Sequence, residues 1–433
     1  MPDAPAISVV IPTYNAAKFL REALDSLLAQ TFTNWEAVCV NDGSTDNSLK
    51  ILQEYAARDS RFRILDGPNG GYGKAMNRGM DAAAGKYLAI LEPDDFLPAH
   101  AYEALYSAAE EHDLDIARGA VCHFWQEKGH PRYCCQYDSA PKMQVLRPRE
   151  HACAFRAAPN TWTCLYRMEH LRRNNIRHHE SPGASYQDDG MFFQNMAYAE
   201  RCMWVDDIVY MYRIDNPASS IQAGARKPFA EMEEFAFIRR RMEEAPEIWQ
   251  QVKTYYTGLY IGAQRWIYPR IAEETRPEFL RRLRAELPAL RALGLPGMPP
   301  RQAEELELLE RSAEEFLAAG CWLPNPQPPA PASKEKKLRF LGIPLATTAA
   351  FDNKTRKYVF GIPVLSQRRI SVLHDLGDGL LLPLGARDHF RVLGIPFAHR
   401  DIDPGGKRLS ILGLIHNGKL QKTTVLNYPE ARA

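Results

Sequence analysis

The chain has 433 residues, 45% of them hydrophobic and 25% charged, with a formal net charge of +1. That length calls for two or three domains, and that composition excludes a disordered, collagenous or disulfide-dense chain. The near-zero charge hides an asymmetry: residues 334–433 hold 17 Lys/Arg against 8 Asp/Glu, net +9, which leaves residues 1–333 at −8. A basic tail of this kind points to a polyanionic partner surface, either membrane or nucleic acid. No stretch reaches the roughly 18 uninterrupted apolar residues of a membrane span. No basic segment or cleavage site precedes the first strand at Ile7, so no secretory leader is expected. The eight cysteines (Cys39, Cys122, Cys134, Cys135, Cys153, Cys164, Cys202, Cys321) are scattered without a Cys-x-x-Cys pair, and are expected to be ordinary thiols in a reducing cytoplasm.

In chain order, Ile7–Pro12 reads as a continuous apolar strand, and residues 17–29 have the apolar spacing of a helix. Trp35–Asn41 predicts a second strand, followed by an Asp-Gly-Ser-Thr-Asp turn and a helix from about Asn47 to Ala57. A third strand is predicted at Phe62–Asp66, a helix at Gly73–Ala83 and a fourth strand at Lys86–Leu91. This alternation argues for a mainly parallel sheet with helices on both faces, whose ligands bind beyond the carboxyl ends of the strands. Further on, a helix is expected at Tyr102–His112, a strand at Asp115–Phe124, a mixed apolar region at Cys153–Leu171, a helix from Tyr186 to about Ala199, and a strand at Arg201–Tyr212. Lys227–Leu317 has helical spacing, with breaks expected at Pro269, Pro277, Pro288 and residues 294–300. Its aromatic set (Tyr255, Tyr256, Tyr260, Trp266, Tyr268) reads mainly as helix-packing core, with a sugar platform as the lesser alternative.

Pro324–Ala332, with five prolines in nine residues, reads as a stiff linker. Beyond it Arg339-Phe-Leu-Gly-Ile-Pro-Leu recurs as Val359-Phe-Gly-Ile-Pro-Val, as Arg391-Val-Leu-Gly-Ile-Pro-Phe and, weakly, as Ser410-Ile-Leu-Gly-Leu-Ile. Its glycines (Gly342, Gly361, Gly394, Gly413) lie 19, 33 and 19 apart. An apolar strand, a glycine and then Ile-Pro predict a small module of β-hairpins with sharply bent strands. The expected organisation is therefore a domain over 1–225, a helical region over 226–322, a linker over 323–337 and a β-rich module over 338–433.

The polar residues gather at the predicted strand ends: Pro12-Thr13-Tyr14-Asn15, Asn41-Asp42-Gly43-Ser44 and Glu92-Pro93-Asp94-Asp95. Each turn could simply cap a helix, but three of them converging on one edge point to a site. Carboxylates at the end of a buried strand suit a hard divalent cation, which shares its remaining positions with phosphate oxygens.

These motifs, in this order, resemble the inverting family 2 glycosyltransferases of the GT-A fold, over about the first 220 residues. The resemblance rests on Ser8-Val-Val-Ile-Pro-Thr-Tyr-Asn15, Val40-Asn-Asp-Gly-Ser-Thr-Asp46, Glu92-Pro-Asp-Asp95, Asp188-Asp189-Gly-Met-Phe192, and Tyr210-Met-Tyr-Arg213 with Ser219-Ser220-Ile221. It implies transfer of a sugar from a nucleotide-diphosphate sugar, a UDP- or dTDP-sugar being favoured, to a hydroxyl of a glycan or lipid-linked acceptor in cell-surface polysaccharide or lipopolysaccharide synthesis. It further implies that Pro12, Thr13, Tyr14, Asp42, Asn69, Gly71, Gly73, Glu92, Asp94 and Arg213 bind the nucleotide-sugar, and that Asp94 and Asp95 hold Mg2+ or Mn2+. Asp189 is the expected base, selected by its spacing to Phe192 and supported by Asp188. A cytoplasmic enzyme is expected, peripheral at the inner membrane face through its basic module, with no nucleic-acid partner.

Glu92 stands where the family often has Asp, so its longer arm could reach the ribose instead of the metal. Cys164 stands where many relatives have Lys. The loop Pro68-Asn-Gly-Gly-Tyr-Gly-Lys-Ala75 lacks the spacing of a Walker or dinucleotide motif. Two alternatives share part of this pattern. A sugar nucleotidyltransferase would carry a Gly-rich, Arg-containing loop after the first strand, which is absent from Thr13–Lys18. A non-catalytic sugar-nucleotide binder or scaffold would have no need of both Asp94 and Asp189. His178-His179-Glu180 reads as a loop on the acceptor side, because adjacent histidines point different ways.

Overall fold

The computed structural model describes residues 4–127, 130–136, 138, 140–217, 219 and 227–323, together with the backbone of strands between 335 and 428. The chain divides into two compact units, Met1–Leu323 and Pro324–Ala433.

The first unit is built on an eight-stranded sheet: β1 Ile7–Thr13, β2 Trp35–Asp42, β3 Phe62–Gly67, β4 Tyr87–Ile90, β5 Ile116–Glu127, β6 His130–Gln136, β7 Cys164–Arg167 and β8 Cys202–Arg213. The order is β3-β2-β1-β4-β7-β5-β6, with β8 on the other edge of β5. The first four strands run parallel, β7 is antiparallel to β4 and β5, and β8 is parallel to β5. Successive side chains on a strand point to opposite faces, and here they divide between two cores. Val10, Val38, Val40, Leu88 and Ile90 enter one core, while Val9, Ile11, Ala37, Cys39, Tyr87 and Ala89 enter the other. Helices Leu20–Leu28, Ser48–Arg58 and Ala101–Glu111 cover the second face, and Tyr72–Ala82 and Gln187–Tyr198 cover the first.

Helices Ala230–Glu243, Pro246–Ile267, Arg276–Leu293, Pro300–Arg311 and Ala313–Ala318 have no separate core. Phe235, Tyr256, Tyr260, Leu283, Leu306, Phe316 and Trp322 are buried in the same cluster as Val10 and Leu88. Pro288 was expected to break a helix but lies inside Arg276–Leu293. The buried stripe of Leu280, Leu283, Leu287 and Leu290 supports that helix on both sides of the proline, against an intrinsic cost of about 3 kcal/mol. Pro277 stands in the first turn of the same helix, where its missing N–H costs nothing.

The cysteine expectation needs one correction. Cys122 and Cys135 are directly opposed across β5 and β6 and are joined as a disulfide. The sequence reading contained β5 but not β6, so nothing in it brought the pair together. Cys39, Cys164 and Cys202 are buried free thiols, and burial pushes Cys39 up to about 12.

The second unit is an antiparallel meander of eight strands, β9 Glu335–Phe340, β10 Ile343–Phe351, β11 Lys354–Val359, β12 Ile362–Asp375, β13 Leu381–Val392, β14 Ile395–Asp403, β15 Gly406–Ile411 and β16 Thr424–Tyr428, paired in chain order. Each Ile-Pro pair opens a strand, opposite Phe340, Val359 and Val392 in turn. Just after each of Pro344, Pro363 and Pro396 the register slips by one residue. A proline cannot donate to the ladder, and a bulge is where a strand accommodates that. The repeat's four glycines, the proline-rich linker and Ser220-Ile221 lie outside the described residues.

Candidate active site

Three turns meet at the carboxyl edge of β1, β2 and β4. The first two are stitched to each other: the Asn15 side-chain carbonyl accepts from the Thr45 amide at 2.8 Å, and the Ser48 hydroxyl and Asp46 carboxylate accept from the amides of Ala16 and Ala17 at 2.9 and 3.0 Å. Pro12 and Thr13 are buried, and Tyr14 stands exposed above them. Asp42 ends β2 buried, with its two carboxylate oxygens accepting from the amides of Gly70 and Gly71 at 2.9 and 3.0 Å. The Asn69 side chain donates to the Asp42 carbonyl at 3.0 Å. Asp42 therefore shapes the glycine loop, and a nucleobase would have to share its lone pairs with two backbone amides.

Beyond β4, the Tyr72 hydroxyl donates to Glu92 at 2.7 Å and the Glu92 amide donates to the Tyr210 hydroxyl at 3.0 Å. Burial first, and then the charges of Asp94 and Asp188, push the Glu92 carboxyl up to about 8 against that bond from Tyr72. Asp94 accepts from the Asn216 side chain at 2.8 Å.

Asp95 and Arg213 are bonded to each other behind the edge. Asp95 is buried behind the edge, with one oxygen accepting the Arg213 amide at 2.7 Å and the other without a partner among the described residues. Burial, with Asp94 beside it, holds its carboxyl well above the usual range. The Arg213 guanidinium is equally enclosed: it donates to the Asp94 carbonyl at 2.9 Å, pairs with Glu22, and lies over the rings of Phe19 and Phe124 at 4.3 and 4.8 Å. Both residues fasten the end of β8 to the acidic turn.

Gly73 has a packing role of its own. A Cβ there would lie 1.9 Å from the carbonyl oxygen of His179, so the glycine lets segment 177–185 close over the loop. The Tyr72 amide donates to the Gly183 carbonyl at 3.0 Å, completing that contact. The two histidines diverge as expected. His178 is buried edge-on against Tyr72, where burial pushes it down to about 4. His179 stacks on Phe237, and its Nδ1 meets Glu234 at 2.9 Å.

The acid pair opens helix Gln187–Tyr198, behind Tyr186 in a left-handed conformation with φ 64°. Its two members look in different directions, as consecutive helical residues do. Asp188 lies in the field of Glu92, Tyr72 and Tyr212, on the side of the acidic turn. Asp189 instead pairs with the buried Glu231: burial and then the charge of Asp188 hold the Asp189 carboxyl well above the usual range against that bond, and burial with the charge of Asp189 does the same for Glu231. Burial, and then the charge of Glu234, pushes Asp188 up to about 6. Both aspartates are half-buried; Asp188 lies within the field of Glu92 and of Glu234, and Asp189 is bonded with Glu231. Glu231 and Glu234 were missed from sequence, where they read as two acids in a helix rich in Glu and Arg.

The acids at this edge fit a divalent cation in charge and in ligand type, because their crowding is relieved by a positive ion. Among the described residues no three such side chains converge closely enough to hold an ion unaided. The set therefore suits an ion that draws further oxygens from a bound diphosphate.

A mostly parallel sheet that ends in an acidic turn, with an acid pair across from it, defines the GT-A class of nucleotide-sugar transferase folds. Among solved structures, the chain is similar to Staphylococcus aureus TarS 1–349 in complex with UDP-GlcNAc, with TM-score 0.55 and 19% identity, over 80% of this chain and 97% of that one. Residues 8–177 match the model "Glycosyl transferase family 2". The chain is 33% identical over 221 residues to the uncharacterized glycosyltransferase EpsJ of Bacillus subtilis, covering 50% of this chain and 62% of the relative. It is likewise 33% identical over 218 residues to the uncharacterized glycosyltransferase YibD of Escherichia coli, covering 49% and 63%. The chain thus spans just over three fifths of these relatives, and they match only half of it. Over this N-terminal part the chain is similar to the family 2 glycosyltransferases.

Proposed function

We propose that the protein is an inverting, metal-dependent glycosyltransferase that moves a sugar from a nucleotide-diphosphate sugar to an acceptor hydroxyl, with Asp188 as the general base. The observation that supports this reading is the acid pair at the start of helix Gln187–Tyr198: Asp188 lies in the field of Glu92 and of Glu234, and Asp189 is bonded with Glu231. A bound Mg2+ or Mn2+, held by Asp94 with Glu92 nearby, would supply the positive charge that stabilises the departing nucleoside diphosphate. The chain's own residues do the rest. Asp42 fixes the glycine loop that borders the donor, Arg213 and Asp95 fix the acidic turn, and Asp188 takes the acceptor's proton as its oxygen attacks opposite the leaving group. A carboxyl lifted to about 6 suits that task, since it is mostly ionised at neutral pH yet more basic than an ordinary aspartate.

UDP-GlcNAc in the similar TarS structure supports a UDP-sugar donor, and the EpsJ and YibD relatives are glycosyltransferases by name. The acceptor proposed is a cell-surface glycan or lipid-linked intermediate at the inner membrane face, with the basic residues of 334–433 as the membrane contact. Among the described residues no helix is long and apolar enough to cross a membrane. Residues 1–225 carry the chemistry in this reading, 226–322 support it, and 338–433 form an accessory module. A panel of nucleotide-sugars assayed with manganese for hydrolysis and for thermal stabilisation tests the proposal. Selective, chelator-sensitive turnover of one donor is expected, and no turnover or stabilisation by any donor would refute it.

A further inference from the structure

One aromatic of the helical region departs from its expected core role. Tyr256, Tyr260 and Tyr268 are buried, but Trp266 is 42% exposed near the end of helix Pro246–Ile267. The exposed Arg270 lays its guanidinium 3.8 Å above the Trp266 ring and donates to the Trp266 carbonyl. Tyr186 presents its ring edge to Trp266 at 6.5 Å. Tyr186 is also the residue that leads into Asp188, and it holds a backbone conformation unfavourable for a bulky side chain. Strain of that kind persists where the surroundings impose it, and it clusters at functional sites.

The Tyr186 phenol, raised first by its burial, lies in the fields of Glu231, Asp189 and Asp188 and in that of Arg270. These residues therefore form a short path from the base to a cation. At its inner end the buried Glu231 keeps one carboxyl oxygen without a partner among the described residues. At its outer end Arg270 pairs with no carboxylate among the described residues.

We propose that Tyr186, Trp266 and Arg270 form an acceptor subsite for an acidic sugar unit, whose oxyanion, phosphate or carboxylate, sits on Arg270 while its ring lies against the aromatics. The inference rests on the glycosyltransferase reading and deepens it by naming the acceptor class. Aromatic faces suit the apolar C–H surface of a sugar ring, and a planar guanidinium suits a two-oxygen contact with an oxyanion. Held on aromatic and backbone, the Arg270 guanidinium is already oriented for such a contact, so little further ordering is needed on binding.

Ligand-observed NMR titration of the full chain with glucose, glucose 6-phosphate and glucuronate tests the subsite. At least one acidic sugar is expected to bind about tenfold or more tightly than glucose, the scale of one charge-assisted contact. Arg270→Gln should abolish that preference, and Trp266→Ala should weaken all three sugars while retaining it. Whichever acidic sugar loses its advantage in Arg270→Gln identifies the oxyanion. Equal binding of all three sugars to the wild-type chain would overturn the subsite. So would a preference that survives in Arg270→Gln, because the anion would then be held by other residues. Failure of nucleotide-sugar turnover in the wild-type chain would count against the glycosyltransferase reading instead.

Discussion

At the residue scale, the adjacent aspartates 188 and 189 differ because a helix turns about 100° per residue. Replacing either by Asn preserves its volume and much of its contribution near the positive end of the helix. Asp188→Asn is expected to lower transfer about 10²–10⁴-fold, the usual cost of a lost general base, with nucleotide affinity nearly unchanged. Asp189→Asn should cost less than tenfold, because its partner Glu231 is buried beside it and a neutral amide relieves a crowded carboxyl pair. Steady-state kinetics of both variants check this, and a larger loss at Asp189 would restore it as the base. The same carboxyl sets a pH dependence. A base is active when deprotonated, so turnover should rise with pH through about 6, the raised position of Asp188, and then level off. In Asp188→Asn that limb of the profile should vanish.

At the element scale, the base is positioned by packing between helices that are far apart in sequence. Gly190 sits one turn inside the helix that carries Asp188, and a Cβ there would lie 2.1 Å from a carboxylate oxygen of Glu234. The glycine therefore admits Glu234, from helix Ala230–Glu243, to the N-terminal turn of that helix. The other Glu234 oxygen meets His179, whose carbonyl closes over Gly73. One side chain thus links the donor loop to the base. Gly190→Ala must push Glu234 aside within a buried contact, and overpacking of this kind costs about 1–3 kcal/mol. Thermal melts should show that loss together with reduced transfer. Glu234→Gln keeps the shape and removes the charge, so it should leave the melting temperature closer to wild type while moving the acid limb of the pH profile downward.

At the scale of the whole chain, the core of the first unit runs from Val10 to Trp322. Phe316 and Trp322 pack edge-on against Tyr268, at 6.2 and 6.0 Å, so the last helix seals this unit. A chain cut after Leu323 keeps every one of these contacts and should melt cooperatively with donor hydrolysis intact. A cut after Ala313 should lose stability, because it removes Phe316 and Trp322. Full-length protein should bind anionic vesicles at low salt and release them at high salt, with about 1 kcal/mol available per basic residue near the surface. The chain ending at Leu323 should not bind. Equal vesicle binding by both would remove the membrane role proposed for the basic module.

Local pattern alone determined the strand-helix alternation, the acidic edge and the family resemblance, because each is written in neighbouring residues. Apolar runs of four to eight define strands, and Glu92-Pro-Asp-Asp95 lies at the end of one. The hairpin repeat was legible for the same reason, since Ile-Pro at fixed offsets marks where a strand opens. What sequence could not decide depends on contacts across long separations. Arg213 and Asp95 are 118 residues apart in the chain, and only packing shows them bonded to each other. Pro288 reads as a break, but a buried leucine stripe on both sides of it outweighs a local penalty. The pairing of Asp189 with Glu231, 42 residues beyond it, is likewise visible only in the fold. Chemistry-bearing residue types are visible in the chain itself, but the direction each side chain faces is set by what packs behind it.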